Sequence, residues 1–545
     1  MVTRFLGLIA VAAVVSIAAM HGQHDPHSEI FETSDRCMAC HNSLRAPSGE
    51  DVSIGASWRA SMMANSSRDP YWQAGVRREV TDHPAAAQAI QDTCAACHMP
   101  MSRTEARING SQGSVFEHLP VIRKSDRADR LAHDGVACSL CHQITDQNLG
   151  TAASFTGGYV ISTADPGAGA GGSRKERPVF GPFKIERGMT TIMRSATGFQ
   201  PTEATHIRQS EVCATCHTLI TRALGPDGQV TSELPEQVPF QEWQHSAFAA
   251  EQRSCQSCHM PVVEEDTPIA SVLGAPRKGL ARHTFVGGNF FMQRMLNRYR
   301  ADLGVVAPAA DLEASLKATI DNLQKSTAEL SIDRAERVGG QVIADVRVRN
   351  LTGHKLPTGY PSRRAWLHVT VRDRNGRVVF ESGAIAPNGA IAGNDNDADA
   401  LRVEPHRTEI RESGEVQIYE SVMGDAAGAP TTGLLTGVRY LKDNRLVPRG
   451  FDKSKADPWI AVIGDAAQDQ DFGDSGDRVR YAVNVNGADG PFQIDAELRF
   501  QVIGFRWADN LRRYKAEETT RFVGYYDSMA SSSSELLAAI RQIVD

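Results

Sequence analysis

The ten cysteines of the chain fall into one repeated pattern: "CMACH" (Cys37, Cys40, His41), "CAACH" (Cys94, Cys97, His98), "CSLCH" (Cys138, Cys141, His142), "CATCH" (Cys213, Cys216, His217) and "CQSCH" (Cys255, Cys258, His259). Each pair of thiols is followed at once by a histidine, and no cysteine is left over. Two thiols at this spacing reach the two vinyl groups of one haem, and the adjacent histidine is then carried under the iron as an axial ligand. Zinc sites give no reason for the repeated histidine neighbour, and thiol redox pairs do not come in fives. A disulfide framework, the first expectation for ten cysteines in an exported protein, does not fit this placement either. The pattern therefore predicts five haem c groups with His41, His98, His142, His217 and His259 as proximal iron ligands.

Each iron that is not a catalytic site needs a second axial group, from histidine or methionine. His133 lies five residues before Cys138 and His206 seven before Cys213, positions from which each could reach a neighbouring haem. His283, in the apolar stretch "RHTFVGGNFF", would be costly to bury without a partner. His118, in "VFEHLP", is a further candidate. His354 sits in "LTGHKLPTG", where Gly353 and Gly359 allow tight bends and Pro357 stiffens the return. A plain turn needs the glycines and proline but not the histidine, so His354 is expected to ligate a haem across a domain boundary. His83 and His406 remain unassigned.

The elements that must hold these residues change character along the chain. Residues 1–20 have one basic residue, then an apolar run too short for a membrane span, then small residues, which reads as a signal peptide. Residues 21–300 carry all five motifs. They leave too little chain for separate hydrophobic cores, so a mainly helical or irregular pentahaem domain packed on its haems is expected. A glycine- and proline-rich stretch, 156–183, reads as a long surface loop. Leu312, Leu316, Ile320, Leu323 and Leu330 recur at helical spacing, interrupted weakly at Thr327, and predict a connecting amphipathic helix within 301–330. Residues 331–525 alternate apolar and polar positions in "VIADVRVRNL", "AWLHVTVRD" and later runs, with a hairpin turn at Asn375-Gly376, and predict an all-β, sandwich-like domain. His368 then falls on the more polar face of its strand, a structural position. The tail 526–545, with a serine cap and apolar residues at 536, 537, 540 and 543, predicts a C-terminal helix.

The net charge of −7 argues against nucleic acid as a partner. Redox proteins are the expected partners, with self-association a further candidate, and no membrane span is expected after signal removal. A periplasmic or secreted, cell-surface location follows from export. Acidic loops at 393–400 and 465–477 make calcium a candidate cofactor.

The five motifs, the "CHMP" runs at 97–100 and 258–261 and "GHKLPTG" together resemble exported bacterial multihaem cytochromes of the cytochrome c-554-like group. The resemblance implies that His354 is offered to a haem. "WRASMMA" (58–64) and "WQHSAFA" (243–249) are similar to a Trp-x-x-Ser-x-His-Ala distal-ligand pattern of such proteins, with the histidine replaced, which adds Met63 and His245 as distal candidates. Pentahaem nitrite reductases carry a Cys-x-x-Cys-Lys motif at the catalytic haem, and none exists here. The leading expectation is electron transfer through five haems. The alternative is an oxidoreductase that reduces a nitrogen or sulfur oxyanion at one open haem.

Overall fold

The computed structural model describes residues 30–123, 126–161 and 177–545. The signal-peptide reading of 1–20 and most of the glycine-rich loop, 162–176, lie outside the described residues.

Between residues 30 and 300 the chain forms short helices joined by irregular segments. Four motifs lie within or at the end of helices Ala87–His98, Cys138–Cys141, Ser210–His217 and Cys255–His259. The first straddles the end of helix Ser34–Met38. Helical backbone sets residues three apart on one side of a turn, and His41 and His142 close that turn by donating N–H to the carbonyls of Cys37 and Cys138 at 3.0 Å. Small apolar clusters, such as that of Ile30, Phe31, Trp58, Met101, Leu131 and Leu140, are spread between the motifs. The stretch expected as a surface loop ends in a strand, Arg177–Gly181, which pairs in parallel with Phe199–Glu203.

The connecting helix spans Ala309–Ser326 and buries Leu312, Ser315, Thr319 and Leu323. It stops at the weak position, Thr327, so Leu330 belongs to the next element, strand Ala328–Val338. That strand pairs antiparallel with Gln341–Asn350, which pairs with Gly476–Asn484, and Glu409–Ile410 completes a four-stranded sheet. A seven-stranded sheet runs Pro430–Thr431, Ile418–Gly424, Arg364–Arg372, Phe492–Gln501, Ser534–Val544, with Arg439–Asp443 and Val378–Ser382 as side branches. Val342, Ala344, Val346 and Val348 of the smaller sheet meet Leu367, Val369, Val371, Ile494 and Leu498 of the larger in one buried cluster. The Asn375-Gly376 hairpin joins Arg364–Arg372 to Val378–Ser382, with Gly376 at φ +78°.

The chain's end differs from expectation. The helix comes earlier, at Glu517–Met529, and the tail expected as a helix over 526–545 is instead strand Ser534–Val544. Its apolar residues satisfy a helical spacing, but from Ala538 onward exposure alternates along the strand, and ten residue pairs bind it to the edge of Phe492–Gln501. An open sheet edge with unpaired N–H and C=O groups outweighed local propensity.

The largest buried cluster also takes in Ala60, Ala74, Val238 and helix Phe290–Arg298 (Phe290, Phe291, Met292, Met295, Leu296). The motif-bearing half and the β half therefore share one core. An ion pair crosses the same boundary, Arg77 to Glu518 at 2.9 Å, and another ties the motif-bearing half to the connecting helix, Arg59 to Asp311 at 2.7 Å. Among the described residues no helix is long and apolar enough to cross a membrane.

Candidate functional site

Four motif histidines are oriented in one way. Nδ1 of His41 faces the carbonyl of Ile269 at 2.6 Å, that of His98 Ser66 at 3.0 Å, that of His142 Phe180 at 2.6 Å and that of His259 Val286 at 2.5 Å. An Nδ1–H donated to a carbonyl fixes the tautomer and leaves the Nε2 lone pair for a metal. Burial holds His142 below its ordinary pKa and pushes His98 and His217 down to about 4, so these rings are neutral, the form a metal requires.

Two of the sequence candidates face motif histidines. His283 lies opposite His142 with ring centroids 6.3 Å apart and planes 21° from parallel, and His354 lies opposite His259 at 6.2 Å and 14°. Both turn Nδ1 to a backbone carbonyl, of Ala281 at 3.0 Å and Lys355 at 2.9 Å, and burial lowers both pKa values, His283 to about 4. Two imidazoles bound through nitrogen at about 2 Å on opposite sides of one ion would have centroids roughly 6 Å apart. The spacing is too wide for ring stacking and right for an ion between the rings.

The remaining candidates are held differently. His133 and His206 turn Nε2 to the carbonyls of His118 at 2.7 Å and Ile144 at 2.9 Å, so only Nδ1 is open to a ligand. His118 sets Nδ1 against the Asp129 carboxylate at 2.8 Å, which orients the ring with its lone pair on Nε2, and that nitrogen lies 3.1 Å from the Ser102 hydroxyl. His245 is exposed, with Nδ1 on the carbonyl of Gln241 at 3.0 Å. Met63 is half-buried, and its carbonyl accepts the N–H of Val136 at 3.0 Å. His83, unassigned from sequence, has a buried Nε2 without a hydrogen-bond partner; its place after a helix, remote from the next motif, gave no signal. His368 bridges Glu381 at 2.9 Å and Glu497 at 3.3 Å on the sheet surface, as a structural residue would.

The turn that presents His354 is anchored below it. Lys355, fully buried, donates Nζ to Asp443 at 2.8 Å and to the carbonyl of Ala461 at 3.0 Å, and its N–H goes to Glu242 at 3.0 Å. The Thr358 hydroxyl also donates to Glu242, and Arg445 pairs with both Glu242 at 2.9 Å and Asp443 at 2.7 Å. A Cβ on Gly353 would sit 3.1 Å from the Phe248 ring, so this glycine allows the turn to lie against "WQHSAFA".

The motifs also neighbour one another in a definite order. The thiols of Cys37 and Cys138, of Cys97 and Cys216, and of Cys213 and Cys255 lie near enough to shift one another's ionisation, all ten being free. His217 is within electrostatic reach of both His98 and His259, and Cys141 of Cys216. The first motif thus adjoins the third, and the fourth adjoins the second, third and fifth. Around the fifth motif and His283, Arg277 Nε, Arg282 Nη1, Thr284 Oγ1 and Asn289 Oδ1 are buried without partners. Orphaned polar groups of this kind call for a missing partner, and the guanidinium donors suit the propionates of a haem. Thiol pairs on a helical turn, neutral histidines with free Nε2, and these donors all fit haem c.

The acidic loops are largely engaged internally. Asp397 pairs with Arg364 at 2.8 Å, Asp395 with Arg402 at 2.6 Å and Asp471 with Arg478 at 2.6 Å. Among the described residues His406, Asp469 and Asp477 lie close enough to share an ion. However, Nδ1 of His406 accepts from the amides of Gln417 at 2.8 Å and Asn444 at 3.1 Å, which leaves the proton on Nε2 for Asp469 at 3.1 Å. That tautomer satisfies the cluster without calcium.

No protein-family model and no curated protein matches the chain. Among solved structures, the chain is similar to a crystal structure of a penta-heme cytochrome c552 from Thermochromatium tepidum, with a TM-score of 0.53 and 17% identity over 95% of this chain and 99% of that one. The likeness concerns the fold, and it extends through the β half as well as the motif-bearing half.

Proposed function

We propose that the chain is an exported multihaem c-type cytochrome that binds five haems covalently through its five motifs and passes electrons among them to redox partner proteins. The observation that carries this reading is the pairing of motif histidines with second imidazoles: His283 opposite His142 and His354 opposite His259, each 6.2–6.3 Å apart. In this reading His283 completes the iron of the third motif and His354 that of the fifth. Two strong axial ligands fill an iron and leave it suited to electron transfer rather than to binding substrate. The crowding of the fourth motif against three others makes it the junction of the relay. A periplasmic or cell-surface location follows from the residues 1–20 reading and from haem attachment in exported proteins. Bound, the haems supply one-electron chemistry, while the chain supplies the thiols, the neutral imidazoles and their fixed orientation.

The test is intact-mass and haem-stain analysis of the exported protein, expected to find five haems. His283→Ala and His354→Ala should each convert one haem from low to high spin in electron paramagnetic resonance and leave the other four unchanged. A wild-type protein with fewer haems, or variants that remain fully low-spin, would sink the assignment.

A further inference from the structure

Arg363 and Arg364 are adjacent in sequence and provided for in opposite ways. Arg364 makes two 2.8 Å bonds to Asp397 and a third to Gln501. Arg363 donates Nη1 to the carbonyl of Thr358 at 2.9 Å, and among the described residues no carboxylate pairs with it. Arg363 is half-buried, and a guanidinium keeps its charge at neutral pH even where desolvation pushes its pKa down to about 10. Such a cation is costly to desolvate further without a counter-charge.

Its position gives that cost a purpose. The charge of Arg363 acts on both His217 of the fourth motif and His354 opposite the fifth. Room for it is built into the turn: a Cβ on Gly359, at φ +84°, would come within 3.0 Å of Arg363 Nη1 and 3.7 Å of Gln237 Oε1. The acids beside Tyr360, in the same turn, are already engaged. Glu79 accepts the N–H groups of Leu434 and Leu435, at 2.9 and 3.3 Å, and Glu236 accepts the Thr221 hydroxyl at 2.5 Å. Tyr360 and Tyr71, whose rings meet edge to face with centroids 5.8 Å apart, add hydroxyl groups near these acids.

We propose that Arg363 receives an anionic oxygen group, a carboxylate or a small oxyanion, between the histidines of the fourth and fifth motifs. The proposal rests on the haem reading above. The same chemistry has two sources, a haem propionate or a diffusible oxyanion such as nitrite or sulfite. Arg363→Gln and Arg363→Lys are compared with the wild type in the full-length, haem-loaded protein by potentiometric titration and by optical titration with sodium nitrite and sodium sulfite.

If the anion is a propionate, Arg363→Gln lowers the midpoint potential of one haem, Arg363→Lys restores most of it, and neither salt alters the wild-type spectrum. If it is a diffusible oxyanion, one salt shifts the wild-type haem spectrum saturably and Arg363→Gln raises the apparent Kd at least tenfold. Peptide mass analysis of the same samples separates the two levels of the argument. Absence of haem on Cys213 and Cys216 overturns the underlying reading and this inference with it. Haem on every motif with potentials and salt response unchanged in both variants overturns this inference alone.

Discussion

At the scale of single residues, the turn around His354 shows how much buried chemistry holds one imbalanced side chain in place. Lys355, Asp443, Arg445 and Glu242 form a network of two cations and two anions, nearly all of it inaccessible to solvent. Removing one member of a buried pair leaves an uncompensated charge, at a cost of about 3–5 kcal/mol. Lys355→Met should therefore lower unfolding stability by that order in denaturant titration, and should also disturb the haem that His354 is proposed to complete. The sequence showed the histidine, the glycines and the proline of this turn. It could not show Glu242 and Asp443 beneath, because they come from segments far away in the chain. Likewise His118 and His83 differ only in what their nitrogens touch, which no local pattern records.

At the scale of elements, period and boundary were legible where local and tertiary forces agree. The strands at 341–350 and 364–372 and their hairpin partner appear where alternation placed them, the first burying mainly one face and the second, at the centre of its sheet, nearly both. The tail failed because its apolar residues fit two periods, and the deciding factor was an open edge elsewhere. That edge makes a prediction. Truncation after Ser533 removes the partner of Phe492–Gln501 and uncovers its backbone groups, together with the packing of Leu537 and Val544. The truncated protein should have a lower Tm and scatter more light at equal concentration, since bare edges recruit other chains. A truncated form that stays monomeric with an unchanged Tm would contradict the role assigned to this strand.

At the scale of the whole molecule, two buried acids and one half-buried acid lie in the region where the halves join and around the motifs. Burial raises Glu236 from an ordinary 4.5 to about 7, and Asp69 and Asp134 to about 6. Each holds its proton more tightly folded than unfolded, so the stability it contributes is complete below the unfolded value and lost as pH rises through the folded one. Between about pH 4.5 and 7 their combined effect lowers stability as pH increases. Glu236→Gln should remove its part of that slope, on the order of 3 kcal/mol at 1.36 kcal/mol per pKa unit, in unfolding measured at several pH values. An identical pH profile in the variant would show that Glu236 is not the group responsible.

The carbonyls that steer the motif histidines come from unequal distances along the chain. Ser66 precedes His98 by 32 residues, and Phe180 and Val286 follow their histidines by 38 and 27, whereas Ile269 follows His41 by 228. A chain that emerges from its N-terminus during export presents the first motif long before the residue that aims its histidine exists outside. On the proposed reading, the first haem is thus joined to a histidine still free to turn, and its iron gains a fixed axis only after the fifth motif has arrived. The order of synthesis and the order of completion are opposed at that end of the molecule.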